Sequence, residues 1–101
     1  MQASISKEAG KALIKLSGRF DFNTHREFRG AYEPLVADAE IRSVVVDFAN
    51  VDYLDSSALG MLLMLRDKLG GAGKEVALTS VRGNVKQVLD IANFGKLFPI
   101  S

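Results

Sequence analysis

The sequence predicts an α/β fold: a mixed, mainly parallel sheet of about four to five strands, with the helices packed on one face. Three observations carry this. Two strand-like patterns, at 3–7 and 11–17, open the chain. After them helical and strand patterns alternate, which calls for parallel neighbours joined by right-handed crossovers. The β-branched run Val44-Val45-Val46 lies mid-chain, as expected of a central strand covered on both faces. At 101 residues, 48% hydrophobic and 25% charged, the chain fits one domain spanning 1–101 with one core. A sheet of so few short strands has room for its three helices on a single face.

In order, an edge strand over 3–7 turns near Glu8 to Gly10 into a strand over 11–17. Ala12, Ile14 and Leu16 share one side of that strand. Gly18 to Asn23 reads as a loop in which Phe20 and Phe22 anchor to the core and hold Asp21 outward. Thr24 and Glu27 fit a capping box, since each side chain can satisfy the other's backbone N–H. The helix after this box buries Phe28, Ala31, Tyr32 and Leu35, and Pro34 kinks or ends its last turn. The central strand runs from Ile41 to Phe48, and a short acidic loop with Asp52 in a turn comes next.

The helix from Ser56 to about Leu69 is the most informative element. At 100° per residue, Ala58, Leu62, Leu65 and Leu69 form a tight core stripe, which Leu59 and Leu63 extend. Met61 and Met64 lie on the other flank as apolar surface beyond what the core needs. Flexible thioethers suit an adaptable binding surface, and equally the margin of a core. Gly70 to Gly73 ends the helix. It is no phosphate loop, because no strand precedes it and no Gly-Lys-Ser/Thr comes after it. A short strand spans 75–79 with Val76 and Leu78 inward. A third helix places Val85, Val88, Leu89 and Ala92 on one face and stops at Asn93 to Gly95. Leu97, Phe98 and Ile100 make a final apolar segment.

Composition excludes several functions. The net charge of +1 gives no broad basic field for direct nucleic-acid binding. With no cysteine there is neither a disulfide framework nor a thiolate metal site, and the lone His25 supports no multi-histidine site. The first residues lack a secretory h-region, and the apolar run 59–65 is too short for membrane insertion. A cytoplasmic setting is expected. Ser56 and Ser57 have no nearby base, so a hydrolase triad is not supported. Asp47, Asp52 and Asp55 invite a magnesium reading. Each has a simpler role, and no metal, cofactor or catalytic residue is assigned.

Asp55 is a good N-cap and Ser56 opens the helix behind it. A phosphoryl group on Ser56 would meet free N–H groups and the positive end of the helix dipole. It would also meet the carboxylates of Asp52 and Asp55, so attraction and repulsion compete. Such a modified form can exist but presents a very different surface. Unmodified capping serine is the ordinary alternative.

Two motifs bring these features together. Leu16-Ser-Gly-Arg-Phe-Asp-Phe-Asn-Thr24 resembles the "l-x-G-x-l-D-x-x-t" of the STAS domain family. Val46-Asp-Phe-Ala-Asn-Val-Asp-Tyr-Leu-Asp-Ser-Ser-Ala-Leu-Gly60 resembles its "l-D-l-x-x-v-x-x-i-D-S-S-G-l-g". Order and spacing agree over most of the chain, in particular with single-domain bacterial anti-sigma factor antagonists. The resemblance implies a STAS-like fold and a non-enzymatic partner switch. On it, Ser56 is phosphorylated by an anti-sigma factor with serine kinase activity and restored by a serine phosphatase. The unphosphorylated form binds the anti-sigma factor and frees the sigma factor. The implied partner surface comprises Asp21, Asn23, Thr24, Asp55, Ser56, Ser57, Ala58, Gly60, Met61 and Met64. Ala58 stands where the family usually has glycine. The alternative is a constitutive STAS adaptor in a larger complex, lipid-transport or stressosome-like, with no phospho-switch.

Overall fold

The alternation of strand and helix patterns resolves, in a computed structural model describing residues 1–101, into four strands and three helices. The strands are β1 (Gln2–Glu8), β2 (Lys11–Phe20), β3 (Ser43–Leu54) and β4 (Glu75–Thr79). The helices are α1 (His25–Val36), α2 (Ser56–Gly71) and α3 (Gly83–Ile91), with 3-10 turns at Phe22–Thr24 and Phe94–Lys96. Sheet order matches sequence order: β1 and β2 pair antiparallel, and β2, β3 and β4 pair in parallel. The hairpin between β1 and β2 is a two-residue turn with φ of 51° at Ala9 and 83° at Gly10. That backbone matches the twist of the flanking strands.

The core lies on one face of the sheet. Ala12, Ile14, Leu16 and Phe20 of β2, Val44, Val46 and Phe48 of β3, and Leu78 of β4 are all buried there. They form one cluster with Phe28, Tyr32 and Leu35 of α1, Leu62, Leu65 and Leu69 of α2, and Val85 and Leu89 of α3. All three helices therefore cover the same face. The opposite face is open: Leu13, Val45 and Ala77, in register across three strands, are only half-buried. The valine run thus belongs to a central strand covered on one side, not two. Three consecutive valines satisfy either arrangement, because Val45 fits a pleated half-buried surface as well as a buried one.

β3 also runs on to Leu54 instead of yielding to an acidic loop, so Asp52 is a strand residue. Two register shifts explain why the pattern hid this. β2 advances from Lys15 to Ser17 while β3 advances from Asp47 to Asn50. Gly18 to Arg19 then faces Val51 to Tyr53. Each shift inserts one extra residue in β3, so its buried positions change parity from Phe48 to Val51 and again to Leu54. β2 is longer than expected as well. It passes through Gly18, whose φ of 93° disfavours any residue with a Cβ.

Other departures are local. Pro34 sits inside α1, which continues to Val36; the carbonyl it leaves without a donor is that of Gly30, on the exposed side. Leu63 is exposed and does not extend the core stripe of α2. The C-terminal residues add no full strand. Leu78 N–H donates to Pro99 O at 2.9 Å and Ser101 N–H to Leu78 O at 3.1 Å, which closes part of the β4 edge.

Leu62 is fully buried at the centre of the α2 stripe. Its replacement as Leu62→Ala should cost about 2–5 kcal/mol of urea-unfolding stability. At the other end of the sheet, Lys7 Nζ bonds Asp38 at 3.0 Å. That bond, aided by the Glu40 N–H, holds the Asp38 carboxyl below its ordinary value of 3.8. A lowered carboxylate pKa stabilises the fold above the unfolded-state value, and the gain is lost as pH falls through the folded-state value. Asp38→Asn should therefore melt slightly lower at neutral pH. The gap in Tm should close as the pH drops below 3.8.

Candidate functional site at the paired helix starts

Parallel pairing of β2 with β3 brings two chain segments to the same edge. Phe20 and Leu54 end their strands as register partners, and Asp55 N–H donates to Phe20 O at 3.3 Å. The next residue of one segment is Asp21, and that of the other is Asp55. Both have extended backbone. Asp21 caps the 3-10 turn at Phe22–Thr24, and Asp55 caps α2. Two capped starts therefore stand side by side at about one strand spacing, roughly 4.8 Å.

At the α2 start, the Asp55 carboxylate accepts the Ala58 N–H at 3.0 Å, as the sequence predicts. Ser56 comes next as an exposed first helical residue, and Ser57 is half-buried. At the other start the cap differs from expectation. Thr24 makes no cap bond to α1. Its hydroxyl instead donates to Asp21 O at 2.7 Å and accepts the Asp21 N–H at 3.2 Å, while the Asp21 carboxylate accepts the Asn23 N–H at 3.0 Å. The capping box thus joins Asp21 and Thr24, one turn earlier than the Thr24–Glu27 box. A short 3-10 turn inserts before α1, and Glu27 is left exposed.

Of the residues expected at the surface, Asn23, Ser56, Gly60 and Met64 are exposed; Asp21, Asp55, Ser57 and Met61 are half-buried. Thr24 and Ala58 are buried, at 5% and 0% exposure. Their side chains lie beneath the two caps. Arg66 Nε donates to Leu97 O, which turns one flank of α2 toward the C-terminal segment. Ser57, Met61 and Met64 lie on the opposite flank, beside α1. Gly60 faces solvent, and a Cβ built there would meet nothing within 4 Å. The fold gives no packing reason for this glycine.

Three residues were not legible as site residues. Phe22, expected in the core, is 66% exposed beside Asp21; Phe20 alone anchors the segment. The Arg19 guanidinium lies 4.0 Å over the Tyr53 ring, and its Nε stands 3.6 Å from the Asp21 carboxylate. Unbroken register from the Lys15–Asp47 pair would set Arg19 opposite Val51; the two extra residues in β3 bring Tyr53 there instead. Asp47, Asp52 and Asp55 do not converge. Asp47 accepts the Ala49 N–H, Asp55 serves its cap, and no set of three potential ligands forms a metal cluster. His25 Nδ1 donates to the Phe22 carbonyl at 3.0 Å.

The α/β sheet thus delivers an exposed serine to a capped helix start. The sequence model of the "Mlab, STAS domain" family matches residues 3–99, and the chain belongs to the STAS domain family. A STAS-domain containing protein of Pseudomonas aeruginosa (strain UCBPP-PA14) is 46% identical over 96 residues, covering 95% of this chain and 93% of the relative. An anti-sigma F factor antagonist of Paenibacillus polymyxa is 26% identical over 100 residues, covering 99% and 86%. The crystal structure of an anti-sigma factor antagonist from Mycobacterium paratuberculosis superposes with a TM-score of 0.85 at 24% identity, covering 98% and 83%. No helix is long and apolar enough to cross a membrane.

The two helix features make opposite predictions for stability. Asp55→Ala should lower it by about 1 kcal/mol, through loss of the cap. Gly60→Ala should raise it by about 0.5–1 kcal/mol, since open space surrounds the added methyl. Thermal and urea unfolding of the two variants check both signs.

Proposed function

We propose that this protein is a phosphorylation-controlled anti-sigma factor antagonist. The unphosphorylated form binds an anti-sigma factor that is itself a serine kinase, and so releases the sigma factor. Phosphorylation of Ser56 blocks that binding, and a serine phosphatase reverses it. The protein has no catalytic role of its own and works in the cytoplasm. The observation that carries the reading is the position of Ser56: an exposed hydroxyl on the first helical residue, next to the Asp55 cap and at the edge shared with Asp21.

The physical mechanism is a change of charge inside a contact surface. Phosphate adds about −1.5 to −2 charges. The free N–H groups of the first turn and the helix dipole make the modified form tolerable to the fold. Asp21 and Asp55 already set two carboxylates at this edge, and of the nearby cations Arg19 is turned onto Asp21 and Arg82 onto the Ala49 carbonyl. A docking partner must desolvate the added charge with little compensation, which weakens binding by several kcal/mol. Gly60 and Met64 supply flat and adaptable surface on the same helix.

Ser56→Ala should bind the anti-sigma factor whatever the kinase activity, and Ser56→Asp should bind it at least tenfold more weakly in calorimetric titration. Equal affinity of the two variants sinks the switch. A Ser56→Asp chain that still enters a larger assembly normally would support the constitutive adaptor.

A further inference from the structure

The 3-10 turn at Phe22–Thr24 is built more firmly than a connection of that length requires. Three side-chain hydrogen bonds and one backbone bond among Asp21, Asn23 and Thr24 close it, and Thr24 roots it in the core. What this rigid turn holds into solvent is a benzyl ring. Phe22 is 66% exposed, with its ring 5.4 Å from the His25 ring between centroids. It takes no part in the core cluster, and the turn's hydrogen bonds do not use its side chain. Nothing in the fold calls for an aromatic residue there. An exposed aromatic side chain on pre-ordered backbone is the arrangement that protein interfaces use for energetic anchors. The ring loses little freedom on docking and offers much apolar area.

The turn is also tied to the Ser56 helix by a second route besides the Asp55–Phe20 hydrogen bond. Tyr53, two residues before Asp55, carries the Arg19 guanidinium on its face at 4.0 Å, and Arg19 Nε reaches the Asp21 carboxylate at 3.6 Å. That carboxylate caps the turn through the Asn23 N–H. The relay depends on the two extra residues in β3 that set Tyr53 opposite Arg19. A planar guanidinium can stack and pair at once, whereas a lysine ammonium cannot.

We propose that Phe22 is the apolar anchor of the Ser56 surface, inserting into a hydrophobic concavity of the partner protein, with Arg19 and Tyr53 as positioning residues that fix its turn. This rests on the function proposed above and specifies the partner's chemistry: an apolar pocket sized for a phenyl ring, placed beside the part of the partner that meets Ser56.

The test uses the full chain in its native cells. On irradiation, Phe22→p-benzoylphenylalanine should form an adduct with an anti-sigma factor bearing a serine kinase domain, at least tenfold above the adduct from Ile91→p-benzoylphenylalanine. Ile91 is the control because it is exposed on α3, outside the paired helix starts. Adding Ser56→Asp should lower the adduct at position 22 at least tenfold. No adduct at position 22, or one that Ser56→Asp leaves unchanged, overturns the assignment. If Ser56 is still phosphorylated in those cells, only the anchor falls; if it is not, the underlying switch falls with it. Arg19→Lys and Tyr53→Leu should lower the adduct several-fold and speed hydrogen exchange at the Asn23 and Thr24 amides. Faster exchange with an undiminished adduct would remove the positioning role.

Discussion

The parallel pairing of β2 with β3 is the constraint on which the rest of this structure depends. It makes Phe20 and Leu54 neighbours and so sets the Asp21 and Asp55 caps side by side. Everything specific to the site lies within a few residues of those two caps. The pairing is anchored from below by the aromatic cluster of the core, where Phe20 packs on Phe28 at 4.8 Å and on Phe48 at 6.4 Å between centroids. Stability and presentation are therefore joined: the residue that ends β2 is core, and the next two are surface.

A site built this way suits binding better than chemistry. Its polar groups are largely committed to backbone: Asp55 to Ala58, Asp21 to Asn23 and Thr24 to Asp21. Groups held by caps fix geometry but have little capacity to move protons. Ser56, by contrast, is free and exposed. On the proposed reading, the helix start that would tolerate a phosphate on Ser56 would also set its charge beside Asp55, where a partner could bury it only at a cost. Under the proposed function, control of binding would come from that opposition, with no change of fold needed.

Much of this was legible in the sequence because it depends on local chemistry. The Asp55 cap, the Ala58–Leu62–Leu65–Leu69 stripe and the strand at 75–79 are dictated by capping preference and periodicity alone. The features that escaped depend on register. Two extra residues in β3 shift its parity twice, so the strand's second half looked like a loop, and Tyr53 could not be matched to Arg19. The Asp21–Thr24 box competed with an equally well-spaced Thr24–Glu27 box, and only the end of β2 decides between them. Phe22 escapes because two aromatics in one loop usually both anchor it to the core. Its exposure is set by a turn that propensity does not reveal.

The central claim, that Ser56 is the point of control, is tested most directly by intact mass spectrometry with peptide mapping of the protein purified from its native cells under two growth conditions. The account predicts one added phosphate on the peptide containing Ser56, in a proportion that changes with condition. A Ser56 that stays unmodified across several conditions would contradict it.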